Sequence, residues 1–345
     1  MSINQINQHS LTRLNRGVGL IEVMISVIIG MLLVLVIYQV YEVSEGQKRT
    51  ITAGSDAQQN ASYGLYVLGR DIAVAGNGIA SAAASLDGCA LLRPIPVLIE
   101  AGAGAGDPDT ITVLFGGSSS LSTPVPFLQN STAGTYVVRS PVGFSPKDVI
   151  AAVEGNKCTV STIDAAGVSV DPGTGFTTIT LTPVGGDLAA TYAAVNGSVV
   201  NLGQAASMGH VAYTVDTTGR VLRTQNQLPT AGPVNPVIND VVNLKAQYGL
   251  DTDNDGAIDA WQPATGDWSA ENLKGKPLAT LRQIRAVRIA IVTRSAQYEK
   301  DTVTPGPLLM LDDTVSMDLG ADDQHYRYRV LETIVPLRNA LWNAS

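Results

Sequence analysis

The chain has 345 residues, a formal net charge of −8, only 15% charged residues and no run of basic residues. An acidic chain without a basic patch offers no electrostatic footprint for nucleic acid, so direct nucleic-acid binding is not expected. The length allows two domains or one large β-rich domain.

Residues 1–17 hold Arg13 and Arg16 and no acidic residue. Such a positive leader is expected to stay on the cytoplasmic side of a membrane. The run Val18–Tyr41 follows, 24 residues with one charge, Glu22. As a helix it would be about 36 Å long, enough to span a bilayer. A carboxylate in lipid costs roughly 2.5–3.5 kcal/mol, so it normally marks a function with a partner close by. A secretory signal ends its apolar core in a small-residue cleavage site. Here Tyr38, Gln39, Tyr41 and Glu42 end it instead. The plain alternative is a signal-anchor helix whose acidic residue sits near the membrane edge by accident.

Past Tyr41 the chain turns polar, yet Ala61, Leu65, Leu68, Ile72 and Ala75 recur at helical spacing. The helix is therefore predicted to continue to a stop at Gly76-Asn77-Gly78. Gly46, Gly54 and Gly64 suggest bends or local melting. Cys89 and Cys158 both lie on the outer side of the anchor, where one disulfide is expected; two unpaired thiols are the other possibility.

From Cys89 on, strands and turns are expected. Thr110–Phe115, Tyr136–Arg139 and Thr177–Leu181 read as strands, and His210–Val215 and Arg220–Arg223 flank the turn Asp216-Thr217-Thr218-Gly219. Residues 100–205 are too rich in Gly, Ser, Thr and Ala to yield a topology; they could be an insertion or a second β lobe. Val242, Leu244, Ala246, Tyr248 and Leu250 alternate with Asn243, Lys245 and Gln247, which predicts a strand with one buried face. Ala286–Thr293 reads as a returning strand.

Between those two strands lies Asp251-Thr252-Asp253-Asn254-Asp255-Gly256-Ala257-Ile258-Asp259. Carboxylates at positions 1, 3, 5 and 9, glycine at 6 and a backbone carbonyl at 7 follow the front half of an EF-hand Ca²⁺ loop. Asp251, Asp253, Asp255, Asp259 and the Ala257 carbonyl are thus candidate Ca²⁺ ligands. Position 12 is Gln262 rather than the bidentate Glu, and no flanking helix pair is evident, so a weak site of about 10⁻⁴–10⁻³ M is expected. A solvated Asp/Asn/Gly turn is the alternative. His9, His210 and His325 stand alone, and no G-x-S-x-G, H-E-x-x-H or P-loop pattern occurs. Asp322-Asp323 beside His325 reads as a solvated loop, and the chain is expected not to be an enzyme.

Arg16-Gly17-Val18-Gly19-Leu20-Ile21-Glu22-Val23 resembles the processing site of type IV prepilins and pseudopilins. The resemblance implies cleavage by a prepilin peptidase after Gly17, N-methylation of a new terminus at Val18, and Glu22 as the fifth mature residue, setting register in a fibre. Most members carry Phe where Val18 stands. Four further segments resemble minor pilins of the PilW type: Tyr63–Gly76, Gln247–Gly256 with Trp261, Val287–Ser295 and Tyr326–Asn339. Residues 80–205 are outside the resemblance.

It implies an α+β class, the type IV pilin fold: a long N-terminal helix packed on an antiparallel β-sheet domain, with a β-rich insertion at about 100–205. The implied divisions are a leader (1–17), a membrane-spanning or fibre-core helix (18–41), a periplasmic helical half (42–76) and a β-rich domain (77–345). Such a subunit primes and joins a type IV pilus used in twitching motility and adhesion. It would partner other minor pilins, the major pilin and, where the pilus carries one, a tip adhesin, moving from the inner membrane to the pilus. A J-type pseudopilin of type II secretion, or an uncleaved membrane-tethered Ca²⁺-binding or enzymatic domain, are the alternatives.

Overall fold

The computed structural model describes residues 19–89, 92–117, 123–186, 191–228 and 231–341. Two compact units divide it, Met1–Thr52 and Ala53–Ser345. The first helix, α1, runs Leu20–Ala73 without a break and contributes to both. Its portion in the first unit is apolar and long enough to cross a membrane. Glu22 lies in its first turn, where a carboxylate suits the positive end of the helix dipole. Glu45 and Arg49 form an i,i+4 pair at 3.7 Å in the polar stretch beyond.

In the second unit α1 presents Gly54, Ala57, Ala61, Gly64, Leu68 and Ile72 as one buried face. This is the predicted amphipathic stripe, extended towards the N-terminus by small residues. The glycines do not melt the helix. An ideal Cβ on Gly64 would stand 2.6 Å from Ile238 Cδ1 and 2.9 Å from Ile291 Cδ1, so α1 and the sheets approach closely at Gly64. Gly64→Ala meets only the ends of two flexible side chains and gains helix propensity. Gly64→Leu overpacks the interface and is expected to cost about 1–3 kcal/mol in denaturant unfolding. A Leu variant as stable as wild type would show that this contact gives way freely.

After α1 come a short helix α2 (Ala83–Leu86) and then the strands β1 (Val97–Glu100), β2 (Thr110–Phe115), β3 (Val125–Pro126), β4 (Thr135–Val138), β5 (Asp148–Glu154), β6 (Lys157–Val170), β7 (Thr177–Gly186) and β8 (Ser198–Gln204). Next are β9 (Gly209–Asp216), β10 (Val221–Asn226), β11 (Asn235–Asn239), β12 (Val241–Leu250) and β13 (Ala260–Pro263). Helices α3 (Ala270–Gly275) and α4 (Leu278–Leu281) precede β14 (Ile284–Arg294), β15 (Leu308–Met310), β16 (Val315–Met317), β17 (Tyr328–Pro336) and α5 (Arg338–Leu341).

The strands build antiparallel sheets in the orders β1-β2-β9-β10-β11, β13-β12-β14-β17 and β3-β8-β5-β6-β7-β4, with β15-β16 as a separate hairpin. The α+β class with a long N-terminal helix and antiparallel sheets is therefore the observed one. Residues Val125–Gln204 supply the whole of the six-stranded sheet, whereas β2 pairs with β1 and β9.

The main core joins Ala61, Leu68 and Ile72 of α1 to Ile99, Ile111, Tyr213, Ile238, Leu244, Tyr248 and Ile291 of the sheets. Polar ties pin α1 to the same elements: Thr293 Oγ1 donates to Ala57 O at 2.8 Å, and the Tyr213 hydroxyl donates to Asp71 Oδ2 at 2.5 Å. Burial, reinforced by Asp71, pushes the Tyr213 phenol well above its ordinary pKa, so it stays a donor at any physiological pH. A second core gathers Leu86, Cys89, Val153, Val160 and Leu202, and a third joins Tyr136 and Ile150 of the six-stranded sheet to Phe127 and Tyr192 of its connections.

One strand departs from its predicted pattern. Asn243, Lys245 and Gln247 of β12 are buried along with the apolar set. Loop 101–109 and the turn before β16 cover that second face: Asn243 Nδ2 donates to Ala105 O, Lys245 Nζ to Gly104 O and Asp109, and Gln247 Nε2 to Thr314 Oγ1.

Candidate functional site

Gly17 and Val18 lie outside the described residues, so the cleavage and methylation position has no structural description. Glu22 does. It sits on an exposed stretch of helix, and Ser26 Oγ donates back to the Glu22 carbonyl at 2.7 Å. Among the described residues no cation pairs with its carboxylate. Leu20, Ile21, Val23, Met24 and Ile25 around it are more than half or about half exposed. Such a surface is stable only against lipid or other apolar helices.

The acidic segment connects β12 to β13. Its ends are closed by backbone bonds, Asp259 N to Leu250 O at 2.8 Å and Asp251 N to Gln283 O at 2.9 Å. One carboxylate oxygen each from Asp251, Asp253 and Asp259 lies within 4.8 Å of the others. Asp255 is not in that group; its Oδ1 accepts from the Ala257 amide at 2.7 Å. No contact of the Ala257 carbonyl places it with the three acids.

The three differ in surroundings. Asp251 is fully buried, while Asp253 and Asp259 are exposed. Asp251 Oδ2 accepts from Arg285 Nε and from the Gly256 amide, both at 3.1 Å. Asp259 Oδ2 accepts from the Thr252 hydroxyl and amide, both at 2.7 Å. Those bonds, the hydroxyl first, hold the Asp259 carboxyl below the usual carboxylate range, so it is ionised at neutral pH.

Arg285 is the member that sequence reasoning missed. The missed signal was a charge inside an otherwise apolar strand: such a residue is buried only with a partner. Arg288 follows the same rule. Its guanidinium bonds Gln247 Oε1 at 2.9 Å, pairs with Asp312 and lies 4.7 Å from the centre of the Trp261 ring.

The remaining candidates do not converge on this loop. His210 is in β9, where burial, with Lys274 as a lesser cause, lowers its pKa and favours the neutral ring. His325 stacks on Tyr298 at 4.9 Å, and Asp323 pairs with Arg294 at 3.2 Å. Cys89 and Cys158 are joined as a disulfide with their Cα atoms 5.0 Å apart.

Residues 210–339, from β9 into α5, match the family model of PilW, the type IV pilus-assembly protein W. The matched stretch contains β12, the acidic loop, Arg285 and β14. The matched stretch begins well after α1, yet Ile238 and Ile291 within it meet α1 at Gly64. A type IV-like pilin from Thermus thermophilus aligns with 82% of this chain and 96% of its own length, at 11% identity and a TM-score of 0.36. No curated protein matches the chain.

Proposed function

We propose that this chain is a minor pilin of the PilW type, which helps prime a type IV pilus and is incorporated in it. The supporting observation is the pairing of a stretch that matches the PilW model with an N-terminal apolar helix that carries Glu22 in its first turn. The apolar portion of α1 anchors the subunit in the inner membrane and later lies among other α1 helices in the fibre. The β-rich unit faces the periplasm and docks on other minor pilins and the major pilin. Its work is interaction rather than turnover.

In this reading a prepilin peptidase cuts after Gly17 and the new Val18 amine is methylated. Glu22 then meets a positive amine, its own or that of a neighbouring subunit, where low dielectric makes the pair strong and a lone carboxylate costly. Glu22→Ala is expected to lower the amount of this subunit in sheared pili by about tenfold, the equivalent of some 1.4 kcal/mol. Incorporation at wild-type levels would remove Glu22 from assembly. Mass spectrometry of the mature chain is expected to find it beginning at Val18; a chain still beginning at Met1 would overturn the pilin reading.

A further inference from the structure

We propose that the β12–β13 loop is a Ca²⁺ site in which Asp251 Oδ1, Asp253 and Asp259 provide the carboxylate ligands. The inference is independent of the pilin reading, because it rests on the chemistry of the loop alone.

The decisive atom is Asp251 Oδ1. Asp251 has no exposed surface, and its Oδ2 is taken by Arg285 and the Gly256 amide. Oδ1 has no hydrogen-bond partner among the described residues. A buried acceptor without a partner is strongly disfavoured, so the atom calls for a ligand. Asp251, Asp253 and Asp259 each bring one carboxylate oxygen to within 4.8 Å of the others. Ca²⁺ holds its oxygens at about 2.3–2.6 Å, so two ligands of one ion stand at most about 5 Å apart. The group fits within that limit.

Charge points the same way. Among the described residues the one cation paired with these three acids is Arg285, on Asp251, which leaves two negative charges, the charge of one divalent ion. Asp255 adds a fourth carboxylate to the loop. The donors are all carboxylate oxygens, with no histidine or cysteine among them, so a hard cation is favoured over zinc or copper. Backbone carbonyl and water complete the six to eight ligands that Ca²⁺ takes. The division of labour at Asp251 is then clear. One oxygen holds the sheet through Arg285 on β14, the other holds the ion, and the ion ties the exposed arm of the loop to that buried anchor.

The test uses the full chain in detergent, stripped of metal, with calorimetry and thermal unfolding. Ca²⁺ is expected to bind with Kd of about 10⁻⁴–10⁻³ M and to raise the unfolding temperature, with Mg²⁺ at the same concentration at least about tenfold weaker. Asp251→Asn disturbs a buried ion pair and so is not the informative variant. Asp253→Asn and Asp259→Asn are exposed, and each is expected to weaken Ca²⁺ about tenfold, with Asp253→Asn leaving the metal-free unfolding temperature unchanged or higher. Asp255→Asn is expected to leave binding close to wild type. Absence of heat and of any thermal shift at Ca²⁺ about tenfold above the expected Kd range would overturn the proposal, as would unaltered binding by an Asp253→Asn/Asp259→Asn double variant.

Discussion

Asp109→Ala is expected to destabilise the fold by about 3–5 kcal/mol, the usual cost of removing one partner from a buried ion pair. Asp109 and Lys245 are 4% and 6% exposed, and Lys245 Nζ donates to Asp109 Oδ1 at 2.8 Å. The carboxylate also accepts from the amides of Gly102 at 3.0 Å and Ala246 at 3.0 Å, and its own amide donates to Leu244 O at 2.7 Å. One side chain thus fastens loop 101–109 to β12, along a stretch where β13 does not pair with it.

Removing it leaves an ammonium in the interior with, among the described residues, only the Gly104 carbonyl at 2.9 Å, and deprives two amides of their acceptor. The reverse change is milder. In Lys245→Met the two amides still solvate Asp109, so a smaller loss is expected. Denaturant unfolding of the full chain in detergent measures both. An Asp109→Ala loss under about 1 kcal/mol would place the pair with solvent-screened surface pairs.

Breaking the Cys89–Cys158 bridge is expected to cost about 4 kcal/mol in the chain-entropy description of a loop closed over a separation of 69 residues. The bridge links the segment after α1 to β6, next to Val153 and Val160 in the second core. The two chain segments are already in close contact there: an ideal Cβ on Gly88 would stand 2.0 Å from the Gly155 carbonyl oxygen in the β5–β6 turn. Cys158→Ala removes the bridge with little loss of core volume, since Cys158 is only half-buried. Unfolding with and without reductant checks the effect: the variant should match reduced wild type. Non-reducing peptide mapping that finds both thiols free would remove the basis for the expectation.

Much of the fold was legible because its signals are local. The apolar run, the helical stripe Ala61–Ile72 and the alternation in β12 each follow from one residue spacing, and the structure forms α1 and β12 from them. The strands read at Thr110–Phe115 and around the Asp216–Gly219 turn also appear, the latter as the β9–β10 hairpin. In the six-stranded sheet from Val125 to Gln204, the strands read at Tyr136–Arg139 and Thr177–Leu181 appear as β4 and β7, but its topology was not legible, because its small-residue strands carry little periodicity. Nor was the second buried face of β12. Its Asn, Lys and Gln read as solvated until loop 101–109 and Thr314 are folded over them.

By itself the sequence determined the apolar N-terminal helix, the single carboxylate within it and the run of acids between two strands. These depend on the order of neighbouring residues, and helix and turn chemistry act over a few positions. Only the tertiary structure decided which of the acids meet. Asp251, Asp253 and Asp259 come together while Asp255 turns to its own backbone. It also decided that Arg285, 34 residues from Asp251, takes one oxygen of that carboxylate and that the other is left without a hydrogen bond. Burial and long-range pairing set those partners, and neither can be read from spacing along the chain.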